Sequence, residues 1–164
     1  MELYILQLRV KIAELMLKIL QLQAPKKSNK RLVLFDIARA CIGKDMAPIE
    51  NEYGCAEAVN AVFKKAFGVP IGGELSTWRM IKFLEDIKRF QRVALPLPGD
   101  IIISPTGYGD GRIPNGHVGI VGEDNLIMSN DSASGLWIEN YNLYSWKARY
   151  QDRGGYPIYY FRVL

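Results

Sequence analysis

The chain is expected to fold as an α+β domain, and three observations lead there. Amphipathic, helix-like runs fill the part before Pro98, and short β-rich runs set off by Gly, Asp and Asn turns fill the part after it. Helices that precede strands, rather than alternating with them, segregate the two kinds of element. The composition, 49% apolar and 23% charged over 164 residues, is that of an ordinary globular chain with enough apolar material for one core.

Residues 2–23 read as a helix. Ile5, Ile12 and Ile19 fall seven apart, as do Leu8, Leu15 and Leu22, which sets Ile at a and Leu at d as in a parallel coiled coil. A second apolar set, Leu3, Val10 and Leu17 with Leu6, Ala13 and Leu20, lies on nearly the opposite face. A helix apolar on two faces must bury both. Self-association through this helix is therefore expected, in a larger bundle or with one face packed on the rest of the chain; the alternative is a helix lying on a membrane surface. Glu2 and the scattered Arg9, Lys11, Glu14 and Lys18 fit neither a signal peptide nor a membrane span. Segment 1–24 is thus set apart as an amphipathic or coiled-coil helix, 25–30 as a polar linker opened by Pro25, and 31–164 as the globular domain.

Within that domain, residues 31–42 are expected to be helical, with Gly43 as the stop. Residues 55–67 carry an apolar stripe of Val59, Val62, Phe63 and Phe67, and Gly68 follows as a C-cap. Ser76 can N-cap a third helix running to about Phe90. About five strands then follow at 101–104, 117–121, 126–129, 136–140 and 158–163, as in an antiparallel meander, with a helical turn within 143–150.

The net charge of +4 does not choose between nucleic acid, anionic lipid and an anionic cell wall. No Lys/Arg cluster interleaved with aromatics marks a nucleic-acid face, so no nucleic-acid partner is expected.

Two cysteines and one histidine limit the chemistry. They are too few and too scattered for a zinc site, and no metal or cofactor is expected. Cys41 lies late in an apolar helix and reads as a buried core thiol. Cys55 instead opens a helix after a polar loop. There the helix dipole and unpaired backbone N–H groups are expected to favour thiolate, and the Cys55 N–H is a natural oxyanion donor. His117 begins a strand and follows the glycine-rich loop 105–115, which contains Tyr108, Asp110 and Arg112. A third group must orient the imidazole. If 126–129 pairs with 117–121, Asn130 or Asp131 would lie beside His117; Asn130 is preferred, and both could equally cap the turn that follows.

Three motifs recur in this order: Gly-Cys-Ala-Glu-Ala-Val at 54–59, Leu-Pro-Gly-Asp-Ile-Ile at 97–102, and Gly-His-Val-Gly-Ile-Val at 116–121. Together they resemble the NlpC-type and CHAP-type peptidoglycan hydrolases of the papain-like fold, over roughly residues 50–131. The resemblance implies a catalytic set of Cys55, His117 and, by position, Asn130. It makes Tyr53 the aromatic neighbour of the nucleophile; Tyr53, Tyr108 of the loop and Asp131 beside the strand end are the substrate-binding candidates. Asp100 is assigned to its turn rather than to catalysis. The implied substrate is a peptidoglycan peptide, cleaved at an amide through a thioester. Two alternatives stay open: an acyltransferase or transglutaminase-like enzyme with the same pair, and a non-catalytic coiled-coil assembly module. Action at the cell wall, outside the cytoplasm, would require release by lysis or another export route.

Overall fold

A computed structural model describes residues 11, 12, 14–16, 29–49, 54–73, 75–106 and 115–164. Three helices come first: α1 (Lys30–Ala40), α2 (Cys55–Phe67) and α3 (Thr77–Asp86). Strands β1 (Phe90–Val93), β2 (Ile101–Ser104), β3 (His117–Val121), β4 (Leu126–Asn130) and β5 (Trp137–Asn142) follow. A short helix α4 (Leu143–Trp146) runs directly into a π-helical turn (Lys147–Arg153), and β6 (Tyr159–Val163) ends the sheet.

Local sequence explains the element ends. Gly68 adopts φ 79° and its N–H closes α2 on the Lys64 carbonyl. The Ser76 hydroxyl accepts from the Arg79 N–H at the start of α3. The expected extension of α3 to Phe90 does not occur. Ile87 is already extended, and Phe90 starts a strand that pairs with β6, Phe90 opposite Val163. Asp124 and Asn125, both at positive φ, turn β3 into β4.

The sheet is antiparallel with order β1-β6-β2-β3-β4-β5. Strands β2 to β5 form the expected meander. The last strand departs from it, returning between β1 and β2, and the unexpected β1 makes the sheet six-stranded rather than five-stranded. Period-two alternation divides the side chains into two cores. On one face Ile101, Ile103, Val118, Ile120 and Met128 pack under Leu34, Val59, Phe63 and Met80 of the helices. On the other, Ile102, Val121 and Ile127 pack under Trp146, Tyr150 and Tyr156. The uninterrupted Ile101-Ile102-Ile103 run reflects burial on both faces. Trp137 Nε1 donates to the Ala38 carbonyl at 2.9 Å, fastening β5 to α1.

The Pro-Gly-Asp turn before β2 is held by its own residues. Gly99 has φ 91°, and a Cβ there would collide with the Arg31 carbonyl of α1. Asp100 is fully buried, accepts from the Leu97 N–H at 2.8 Å, and takes a bidentate grip from Arg162 at 2.9 and 2.7 Å.

Residues 11, 12 and 14–16 are helical, with Ile12, Leu15 and Met16 exposed. The rest of the heptad pattern and the linker up to Ser28 lie outside the described residues. Among the described residues, no helix is long and apolar enough to cross a membrane.

Candidate active site

Cys55 is the first residue of α2, preceded by Gly54, whose lack of a side chain leaves the first-turn N–H groups uncapped. Helix α2 packs on β3 and β4, which sets the thiol against the start of β3. Cys55 is only 8% exposed, and burial pushes its pKa up from 9.0 to about 11, against the opposing pull of the nearby backbone groups of Val118, Ala56 and Cys55 itself. From its sequence position the helix terminus is expected to favour thiolate. The local dipoles do act in that direction, but lost hydration of the charged form is the larger effect.

His117 is the first residue of β3 and pairs with Ser104 of β2. Gly116 before it has no room for a Cβ, which would meet the Ser104 carbonyl and the Thr106 amide. The imidazole enters an aromatic box. It stacks on Tyr150 at 5.5 Å and 12°, and meets Trp146 at 5.3 Å and Tyr141 at 5.8 Å. Its Nε2 lies 3.0 Å from Ser129 Oγ, and Ser129 donates to Asn140 Oδ1 at 2.6 Å. Burial first, and then the Arg149 cation, depress the His117 pKa to about 3, against the opposing pull of Asp131. At neutral pH the resting pair is therefore an uncharged thiol and an uncharged imidazole.

Cys55 and His117 line the same cavity of about 410 Å3, together with Asn130, Asp131, Asn140 and Arg149. Asn130 is buried at 2% exposure and lines the cavity, but the hydrogen-bond partner of the imidazole is Ser129. Asp131 serves the turn: its Oδ2 accepts from the Ser134 N–H at 2.9 Å and the Ser134 hydroxyl at 2.8 Å. Those bonds, helped by the nearby Asn140 side chain, hold its carboxyl below the usual range. Tyr53, Tyr108 and Asp110 lie outside the described residues. Cys41 is buried at 3% exposure in the helical core and is not among the cavity's lining residues. Among the described residues, no three His, Cys, Asp or Glu side chains gather as a metal site would need.

Ser129, Asn140, Arg149 and the aromatic box do not stand out in the sequence. Alternation along β4 was a usable signal for Ser129, since it puts Ser129 and Ile127 on one face. Asn140 had none, because its placement depends on an irregularity in the β4–β5 pairing.

No protein-family model matches the sequence, and no curated protein matches it. Among solved structures, the chain is similar to one from the type VI native effector–immunity complex Tae3–Tai3 of Ralstonia pickettii, with a TM-score of 0.53 and 16% identity. The match covers 82% of this chain and 98% of that one. At that identity the likeness is one of fold. The papain-like α+β arrangement expected from the sequence, helices packed on an antiparallel sheet, is the arrangement found.

Proposed function

We propose that this chain hydrolyses an amide bond in the peptide part of peptidoglycan, with Cys55 as nucleophile and His117 as its acid–base partner. The observation that carries the reading is that the buried thiol at a helix start and the chain's one imidazole line a single open cavity. His117 takes the thiol proton as sulfur attacks the amide carbonyl, and the Cys55 backbone N–H faces the developing oxyanion. The C–N bond breaks, His117 returns the proton to the leaving amine, and a thioester remains on Cys55. Water, deprotonated by His117, attacks the thioester carbon; the C–S bond breaks and sulfur regains its proton. Because both groups start neutral, proton transfer accompanies attack.

What supports peptidoglycan as the substrate class is the resemblance of the three motifs to those of cell-wall hydrolases, together with a papain-like fold. The neighbouring fold comes from an effector–immunity complex, which suits a chain that is countered by an immunity partner. Peptidoglycan incubated with the chain should yield fragments carrying one new amine and one new carboxylate, and Cys55→Ala should yield none. If an added amine is incorporated in place of water, the enzyme is an acyltransferase. If purified sacculi of several peptide chemistries are all left intact, the chain is not a peptidoglycan hydrolase.

A further inference from the structure

The face of the sheet that carries His117 also carries a run of polar side chains with a forced direction. Strand β4 pairs with β5 as Ser129 opposite Ile138 and Met128 opposite Glu139, then shifts so that Ile127 lies opposite Tyr141. Asn140 is the extra residue of this bulge. Two consecutive residues, Asn140 and Tyr141, are thereby aimed at the same face: Asn140 reaches Ser129 and Tyr141 joins the rings around His117.

The polarity of the run is set at Asn140, whose Oδ1 faces Ser129. Oδ1 can only accept, so the one hydroxyl proton of Ser129 is committed to it, at 2.6 Å. Ser129 Oγ then has only lone pairs left for His117 Nε2 at 3.0 Å. The ring must donate there. Nε2 carries the proton, and Nδ1 is the nitrogen with the free lone pair.

We infer that Ser129 and Asn140 are positioning residues that hold His117 as the Nε2–H tautomer and so present Nδ1 as the base for Cys55. This deepens the hydrolase reading and rests on it for its catalytic meaning, but the tautomer itself does not. The bulge is what makes the chain of bonds possible. Regular pairing would place Asn140 opposite Ile127 and displace Tyr141 from the ring cluster.

The test uses the fact that the full chain has one histidine. With 15N-labelled histidine, the two ring nitrogens give one pair of NMR signals, and their couplings to the ring protons tell Nδ1 from Nε2. At pH 7 the wild type should show a protonated Nε2 and an unprotonated Nδ1. Ser129→Ala should mix in the Nδ1–H tautomer, Asn140→Ala should do so more weakly, and Ser129→Thr, which keeps the hydroxyl, should restore the wild-type pattern. In turnover, Ser129→Ala should lower kcat by about tenfold to a hundredfold with KM unchanged, the usual range for removing a group that orients a catalytic one, and Ser129→Thr should recover most of it. A wild-type spectrum with Nδ1 protonated overturns the inference, as does a folded Ser129→Ala variant with an unchanged tautomer. The wild-type pattern can be read even if the chain proves inactive on peptidoglycan, so failure of the hydrolase reading would show separately.

Discussion

Alkylation of Cys55 by iodoacetamide should be slow at neutral pH and should accelerate steeply with base. The reagent attacks thiolate, not thiol. With the Cys55 pKa at about 11, roughly one molecule in 10^4 is thiolate at pH 7; at the ordinary 9.0 it would be roughly one in a hundred. The folded chain should therefore label at Cys55 about a hundredfold more slowly than the same chain in urea. Exposure of only 8% slows it further. Between pH 7 and pH 9 the folded rate should rise about tenfold per unit and keep rising toward 11, while the urea rate levels off near 9. Peptide mass spectrometry reads Cys55 apart from Cys41 in one sample. Cys55 labelling in the folded chain at pH 6 to 7 as fast as in urea, and flat with pH, would refute the reasoning. The resting pair would then be thiolate and imidazolium, and burial would not be the governing effect.

His117 titrates at about 3 folded against 6.5 unfolded, so the unfolded chain binds the extra proton between those values. Stability should therefore fall as pH drops from about 6.5 toward 3, and urea melts of His117→Gln should lose much of that slope. Arg149→Ala removes a cation that depresses His117, so the histidine pKa read by NMR should rise; an unchanged value would put Arg149 out of reach of the ring. Arg162→Ala strands the fully buried Asp100 carboxylate and should lower stability by about 3–5 kcal/mol, measured by urea denaturation; a loss under about 1 kcal/mol would contradict the ion pair's role. Removing residues 1–24 should convert an oligomer into a monomer with an intact active site, read by light scattering; a full-length chain that is monomeric at micromolar concentration would overturn the coiled-coil reading.

What the sequence made legible was whatever its own neighbours determine. Helix α2 was readable to the residue because Gly68 stops it in a left-handed conformation and Val59, Val62 and Phe63 repeat on one face. Strands β2, β3 and β4 were readable from apolar runs between turn residues, and the pairing of β3 with β4 from the short turn between them. Strand β1 was not. Phe90-Gln-Arg-Val continues a helix-like pattern, and only its partner β6, some seventy residues later, makes it a strand. The same long-range pairing inserts β6 into what reads as a simple meander. At the site, Cys55 and His117 stand out by type and by position at element starts. Their ionisation does not, because it depends on burial by residues from α4 and the π-helical turn as well as from the sheet. The contact to the imidazole falls to Ser129 rather than Asn130 for a geometric reason. Side chains alternate along β4, and the face that holds His117 receives Ser129 while Asn130 points the other way along the strand.

The central claim, acyl transfer through Cys55, is tested most directly by intact-protein mass spectrometry on samples quenched in acid within the first turnovers on a soluble peptidoglycan peptide. The account predicts a transient species heavier by the acyl portion of the cleaved peptide, mapped to Cys55, released by hydroxylamine, and absent from Cys55→Ala, which should also leave the peptide uncut. A Cys55→Ala variant that cleaves the peptide at the wild-type rate, with no adduct on the wild type, would contradict it.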